Sequence, residues 1–244
     1  MKFSSDEAVV LSTVDYGEAD KIVSLLTRGH GKISAFAMGA RKSRKRFQGA
    51  LEPGAHVGAR WSFGRGETMR LDELNVRSVF LSVREDLSKF ARSAYCLELC
   101  RELVREGEPH TELFDLLLDY LKRLDASLVG PTSLLFFELQ VLELSGFRPH
   151  FSACTLCHGE GGGAPRFDAA HGGVLCTDCS ARSPYGRKVS GELVEALSRL
   201  QQGEREKMNP DLREQARVLL NDFIEHHVGR RLKTVEFMRQ ISVD

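Results

Sequence analysis

The sequence predicts an α+β protein in which a small N-terminal β-barrel is followed by an α-helical bundle domain carrying an inserted metal-binding segment. Three observations predict it. Apolar residues alternate in short runs up to about residue 80, then recur at helical spacing. Four cysteines stand as two Cys-x-x-Cys pairs, Cys154/Cys157 and Cys176/Cys179, on either side of a glycine-rich spacer. At 244 residues and 42% hydrophobic composition the chain can bury a substantial core. The expected division is a barrel over 1–80 and a helical domain over 81–244, with the cysteine segment inserted at 150–182.

Five runs rich in Val, Ile, Leu and aromatics read as strands: Ala8–Val14, Lys21–Thr27, Lys32–Met38, His56–Phe63 and Thr68–Val76. Gly29-His30-Gly31 and Gly64-Arg65-Gly66 make natural turns between them, because glycine takes positive φ without steric cost. Neither is a phosphate loop, since Ile33 follows Gly31-Lys32 where Ser or Thr would hold magnesium. Along the fourth strand Trp61 and Phe63 share a face with Val57 and Ala59 and are expected in the barrel core, with His56 and Arg60 outside.

Beyond Phe80, Ser82-Val83-Arg84-Glu85 has the form of a capping box opening a helix to about Glu106. Thr111–Leu124 follows as a second helix. Pro131–Ser145 is a third, whose run Leu134-Leu135-Phe136-Phe137-Glu138-Leu139 leaves almost no polar face and so belongs at the centre of a bundle. Ser190–Gln201 and Pro210–Val228 are two more, the latter capped by Asn209 and stopped by Gly229. Cys96 and Cys100, one turn apart among leucines, read as core side chains.

The four-cysteine pattern reads as zinc. Paired thiolates three positions apart can face one ion, and a spacer of roughly 15–20 residues brings the second pair round to complete a tetrahedron. Four sulfurs leave no position for water, so the ion is expected to be structural. His158 stands close enough in sequence to substitute for one cysteine. The N-terminal residues have no signal-peptide core, and no stretch is long and apolar enough to span a bilayer, which predicts a cytoplasmic protein with reduced thiols rather than disulfides.

Formal net charge is zero, but the charges are uneven. Residues 1–80 hold 13 Lys and Arg against 9 Asp and Glu, and from Arg28 to Leu51 there is no acid at all. Arg41-Lys42-Ser43-Arg44-Lys45-Arg46 is the densest point of that field. A charge run is commonly a solvated loop; on a five-stranded barrel resembling an OB-fold it becomes a candidate phosphate track. The candidate DNA-binding residues are Lys32, Arg41, Lys42, Arg44, Lys45, Arg46 and Arg60, with Tyr16, Phe36, Phe47, Trp61 and Phe63 as aromatics that either stack on bases or fill the barrel. Arg230, Arg231 and Lys233 form a second basic cluster, read as complementing a helix C-terminus. Asp72-Glu73 and Glu85-Asp86 read as surface pairs, and no catalytic constellation is apparent, so the chain is not expected to be an enzyme.

The run Ala8-Val9-Val10-Leu11, the stretch Tyr16 to Thr27, Gly31-Lys32-Ile33 and Gly39-Ala40-Arg41-Lys42 resemble the start of the bacterial RecO family of recombination mediators. Gly146-Phe147-Arg148-Pro149, the two cysteine pairs, Gly172-Gly173-Val174-Leu175 and Leu232-Lys233-Thr234 resemble that family in the same order, so the resemblance covers essentially the whole chain. Met38 departs from it, standing where many relatives carry Lys. The resemblance implies DNA repair and recombination without nucleotide hydrolysis. It further implies binding of single- and double-stranded DNA, annealing of complementary strands, engagement of the C-terminal tail of single-stranded-DNA-binding protein (SSB), and loading of RecA together with RecR and RecF. It implies neither a membrane nor a small-molecule substrate. The alternative is a zinc-stabilised protein adaptor whose basic barrel only docks electrostatically on DNA.

Overall fold

The computed structural model describes residues 3–43, 46–47, 49–63, 69–159, 165–181, 183, 185–204 and 207–241. Five strands, β1 (Phe3–Tyr16), β2 (Asp20–Thr27), β3 (Gly31–Ala37), β4 (His56–Phe63) and β5 (Met69–Ser78), close into a barrel in the order β1-β2-β3-β5-β4. The β1–β2, β2–β3, β4–β5 and β1–β4 pairs are antiparallel, and closure is completed by one parallel bridge, Phe36 to Arg70. Alternation sends Ala8, Val10, Val23, Leu25, Ile33, Ala35, Val57, Ala59, Trp61 and Leu71 inward to form the barrel core.

The chain then forms α1 (Leu81–Glu85), α2 (Leu87–Leu103), α3 (Thr111–Asp125) and α4 (Ser133–Leu144). The small strands β6 (Arg166–Asp168), β7 (Gly173–Leu175) and β8 (Arg187–Lys188) form a sheet in the order β7-β6-β8, with the short helix α5 (Thr177–Ser180) between β7 and β8 in sequence, and α6 (Gly191–Gln201), α7 (Pro210–Val228) and α8 (Lys233–Gln240) follow. The chain divides into two compact units, 1–129 with 232–244, and 130–231. In the first, α2 and α3 lie on the outer face of β1, α3 also reaches β2, and α8 packs on α2 through the edge-to-face pair Phe90–Phe237. In the second, α4 packs with α6 and α7, and its inward side chains include Leu134, Leu135, Phe137, Leu139, Val141 and Leu142.

Several local expectations are corrected. Ser82 caps nothing: α1 begins after Phe80 without a side-chain cap, the chain breaks at Asp86, and the Asp86 carboxylate accepts from the Lys89 N–H to start α2. That helix ends at Leu103 rather than near Glu106, since Val104 is extended. Residues 106–108 instead run beside β3, with Lys32 bridging Glu106 and the Gly107 N–H donating to the Lys32 carbonyl. Gly31 is obligatory there: its φ is +69°, and a Cβ would fall 1.9 Å from the Glu108 carbonyl oxygen. His56 is buried, not outside, because its ring packs beside Phe114 and bonds Glu7. Phe63 is 42% exposed at the strand end, whereas Trp61 is 1% exposed in the core. Lys233 opens α8, a helix the sequence reading did not anticipate, instead of closing α7. The Gly64-Arg65-Gly66 turn lies outside the described residues. Cys96 and Cys100 are fully buried, and burial pushes the Cys100 thiol up to about 12, as an unreactive core position requires.

Candidate nucleic-acid interface and metal centre

The four cysteine sulfurs converge, all lying within 4.8 Å of one another. Cys157 and Cys176 Sγ are 3.8 Å apart, the edge of a tetrahedron with zinc–sulfur bonds of about 2.3 Å. Backbone hydrogen bonds build this geometry. The first pair sits on a tight turn closed by the His158 N–H on the Cys154 carbonyl, with His158 at positive φ, and the Thr155 N–H ties that turn to Val174 of β7. Cys176 leaves β7 as the N-cap of α5, which carries Cys179 one turn on. Burial pushes the Cys154 thiol up, but N–H groups of Cys176, Cys157 and Leu156 aimed at its sulfur outweigh this and hold it at about 6. Cys179, bonded by Cys176 and crowded by the other sulfurs, is pushed up to about 12. Four thiols that cannot all ionise together suit a divalent cation between them, and zinc fits the donor set and its spacing. His158 is not part of the converging group.

The basic segment leaves β3 as the connection to β4. Arg41 is anchored by its N–H on the Ala19 carbonyl and holds its guanidinium 4.0 Å from Asp15, while Lys42 is exposed. Arg46 is set at the base of the loop, donating to the Met38 carbonyl at 2.7 Å and lying 5.0 Å over the Phe47 ring, with its own carbonyl accepting from the Leu74 N–H. Arg44 and Lys45 lie outside the described residues. The other two candidates are placed apart from this loop. The Lys32 ammonium donates to the Arg101 carbonyl of α2 at 2.6 Å and is held below its ordinary pKa by burial. Arg60, on β4, pairs with Glu73 at 3.3 Å.

Among the aromatic candidates, Trp61 and Phe47 are core side chains, while Tyr16 is 55% exposed and Phe36 is half-buried. Sequence reasoning missed Arg70, which only the barrel-closing register places beside Phe36. It also missed the hub at Glu7, whose carboxylate meets His56 at 2.7 Å, Arg77 at 3.2 Å and Arg28 at 3.5 Å. Burial opposes ionisation of Glu7, but these partners hold its pKa below the ordinary value. Arg28 also pairs with Asp115, so the first residue of the acid-free stretch is neutralised by carboxylates remote in sequence. Among the described residues no helix is long and apolar enough to cross a membrane.

A closed five-stranded barrel with a cationic loop, followed by helices and a four-cysteine knuckle, defines a DNA-repair class of protein once set beside known sequences. Residues 1–80 match the family model for the N-terminal part of recombination protein O, and residues 84–236 match that for its C-terminal part. Similar chains include "DNA repair protein RecO" of Myxococcus xanthus, 52% identical over the whole length of both chains, and that of Anaeromyxobacter sp. (strain K), 44% identical over 96% of this chain and 95% of its relative. The Geobacter sulfurreducens protein of the same name is 38% identical over 97% of each chain. The chain therefore belongs to the RecO family of DNA repair proteins.

Proposed function

We propose that this chain is a recombination mediator that binds single- and double-stranded DNA through the β3–β4 connection, anneals complementary strands, engages the acidic tail of SSB, and with RecR and RecF promotes RecA loading without nucleotide hydrolysis. The observation that carries this reading is the acid-free segment from Arg28 to Leu51, which delivers Arg41, Lys42 and Arg46 to one connection of a closed barrel. Cations there neutralise phosphates, release counterions and lower the repulsion between two strands being brought together, which requires no catalytic residue. Zinc held by Cys154, Cys157, Cys176 and Cys179 is structural in this reading, fixing a segment with too little core of its own.

The SSB part of the reading draws support from an apolar cleft of about 570 Å³ in the first unit, lined by Leu11, Pro53, Phe80, Val83 and Phe90, with the exposed cations Arg84 and Lys233 and one exposed carboxylate, Glu52, also in its lining. Apolar walls beside exposed cations suit a peptide that is both acidic and apolar. Annealing of complementary oligonucleotides, bare and coated with cognate SSB, without ATP and over a range of salt, tests the whole. Acceleration on coated strands is expected. No acceleration on either substrate would instead favour the zinc-stabilised adaptor.

A further inference from the structure

The outer face of β1, β2 and β3 carries two apolar rows separated by Ser12, Ser24 and Ser34, and helices cover only the first of them. Val9 and Leu26, paired across β1 and β2, point away from the barrel core and are fully buried under α2 and α3. Further along the same face a second apolar row has no such cover. Val14 is opposite Ile22, Ile22 opposite Phe36, and Phe36 opposite Arg70, so four strands contribute to one line. Val14 is 59% and Ile22 38% exposed. Tyr16 leans over the row, its ring 5.2 Å from that of Phe36 at 79°.

We infer that Tyr16 and Phe36, on the floor of Val14 and Ile22, form a stacking platform for unpaired bases of single-stranded DNA. This rests on the DNA-binding reading proposed above and adds to it a second kind of contact. The occupant follows from what borders the rings. Interface cores between proteins are depleted of charge, whereas this row ends in Arg70, 3.8 Å from Asp72, Asp20 stands opposite Tyr16, and the chain runs on from Phe36 through the end of β3 to Arg41, 4.0 Å from Asp15, and the exposed Lys42 within six residues. Exposed aromatic faces with a cationic connection a few residues away match a polymer with a flat ring and an anionic link in every unit. A duplex hides its base faces, so the platform would take single strands alone, while the basic connection would take the phosphates of either form. The two sites thus divide the work: one sets affinity common to both forms of DNA, and the other prefers the unpaired strand.

The test uses the full chain and three probes: an oligothymidylate, an abasic oligomer of the same length, and a duplex. Wild type is expected to favour the thymidylate over the abasic strand by about tenfold for each stacked ring. Y16A/F36A should lose that preference while keeping its duplex affinity and the salt dependence of binding, since no phosphate contact is removed. An unchanged preference in the double variant would overturn the inference. Should that variant fail to fold by circular dichroism, F36W with a 2-aminopurine strand decides: deeper quenching than wild type is expected, and equal quenching overturns it. Failure of wild type to bind any strand would sink the DNA reading itself, whereas binding without preference over the abasic strand would sink the platform alone.

Discussion

Glu98, inside α2, accepts hydrogen bonds from Thr234 twice, from its backbone N–H at 2.9 Å and from its hydroxyl at 2.7 Å, while its other oxygen takes the Lys233 N–H at 3.2 Å. The N-cap residue of α8, Leu232, has no side chain able to do this, so a carboxylate far away in sequence satisfies the free N–H groups of that helix. Glu98→Ala should cost about 1–3 kcal/mol, read by urea unfolding, because it strands those donors. Glu98→Gln, which keeps one acceptor oxygen, should cost less. Equal stability of wild type and Glu98→Ala would show the cap to be idle.

The same carboxylate gives stability a pH dependence. Burial pushes the Glu98 carboxyl up, but the bonds from Thr234 and Lys233, with Arg101 nearby, outweigh it and hold the pKa below the ordinary value. A depressed folded-state pKa contributes stability above the unfolded glutamate pKa of about 4.3, and that contribution disappears as pH falls through the folded value. Unfolding free energy measured across that window should fall more steeply in wild type than in Glu98→Gln.

At the turn into β3, Gly31→Ala places a methyl group against the Glu108 carbonyl as well as imposing a left-handed conformation on alanine. The conformation alone costs about 1 kcal/mol, and the clash should raise the loss to several times that. Gly107→Ala is the control, since it shares the positive φ but meets nothing within 4 Å. A thermal scan in which the two variants lose the same stability would remove the argument from close approach.

For the cationic loop, alanine at Arg41, Lys42 and Arg46 should weaken DNA binding and reduce its salt slope by about 0.7 log units per lost contact on single strands and about 0.9 on duplex. Lys32→Ala should behave differently, lowering stability while leaving the slope alone, because its ammonium sits on the Arg101 carbonyl. Titrations at several salt concentrations separate the two. A slope unchanged in the triple variant would move the phosphate contact elsewhere.

Zinc content is the remaining check. The purified protein should carry about one ion per chain, and Cys176→Ser should lose it and destabilise the unit that spans 130–231. Because the thiols must lose protons to bind, retention of metal against a chelator should weaken as pH falls. A metal-free wild-type protein with undiminished thermal stability would exclude a structural ion.

The strands and most helices were readable from local chemistry. Asn209 does cap α7, accepting from the Leu212 N–H, and Gly229 closes it at positive φ. The cysteine pairs were readable for the same reason, since a turn that aims two thiols at one point is encoded within a few residues. What could not be read depends on partners distant along the chain. Lys32 and Arg28 looked like free cations, but one meets the end of α2 and the other meets Glu7 and Asp115. His56 fell on the strand face that looked outward, yet in a barrel wrapped by helices that face is also an interior. The helix α8 escaped notice because the carboxylate that starts it belongs to α2, and Arg70 because its position beside Phe36 exists only once the barrel closes.

The return of residues 232–244 to the first unit also bears on the order of synthesis. The unit spanning 130–231 is continuous, so it is complete in the emerging chain while the unit begun earlier still lacks its last helix. At ribosomal speeds of about 5–20 residues per second, on the order of ten seconds separate the appearance of residue 129 from that of α8. For that interval Glu98 has no helix to cap and the α2 surface around Phe90 lacks Phe237. The N-terminal unit of this chain is the last to be finished.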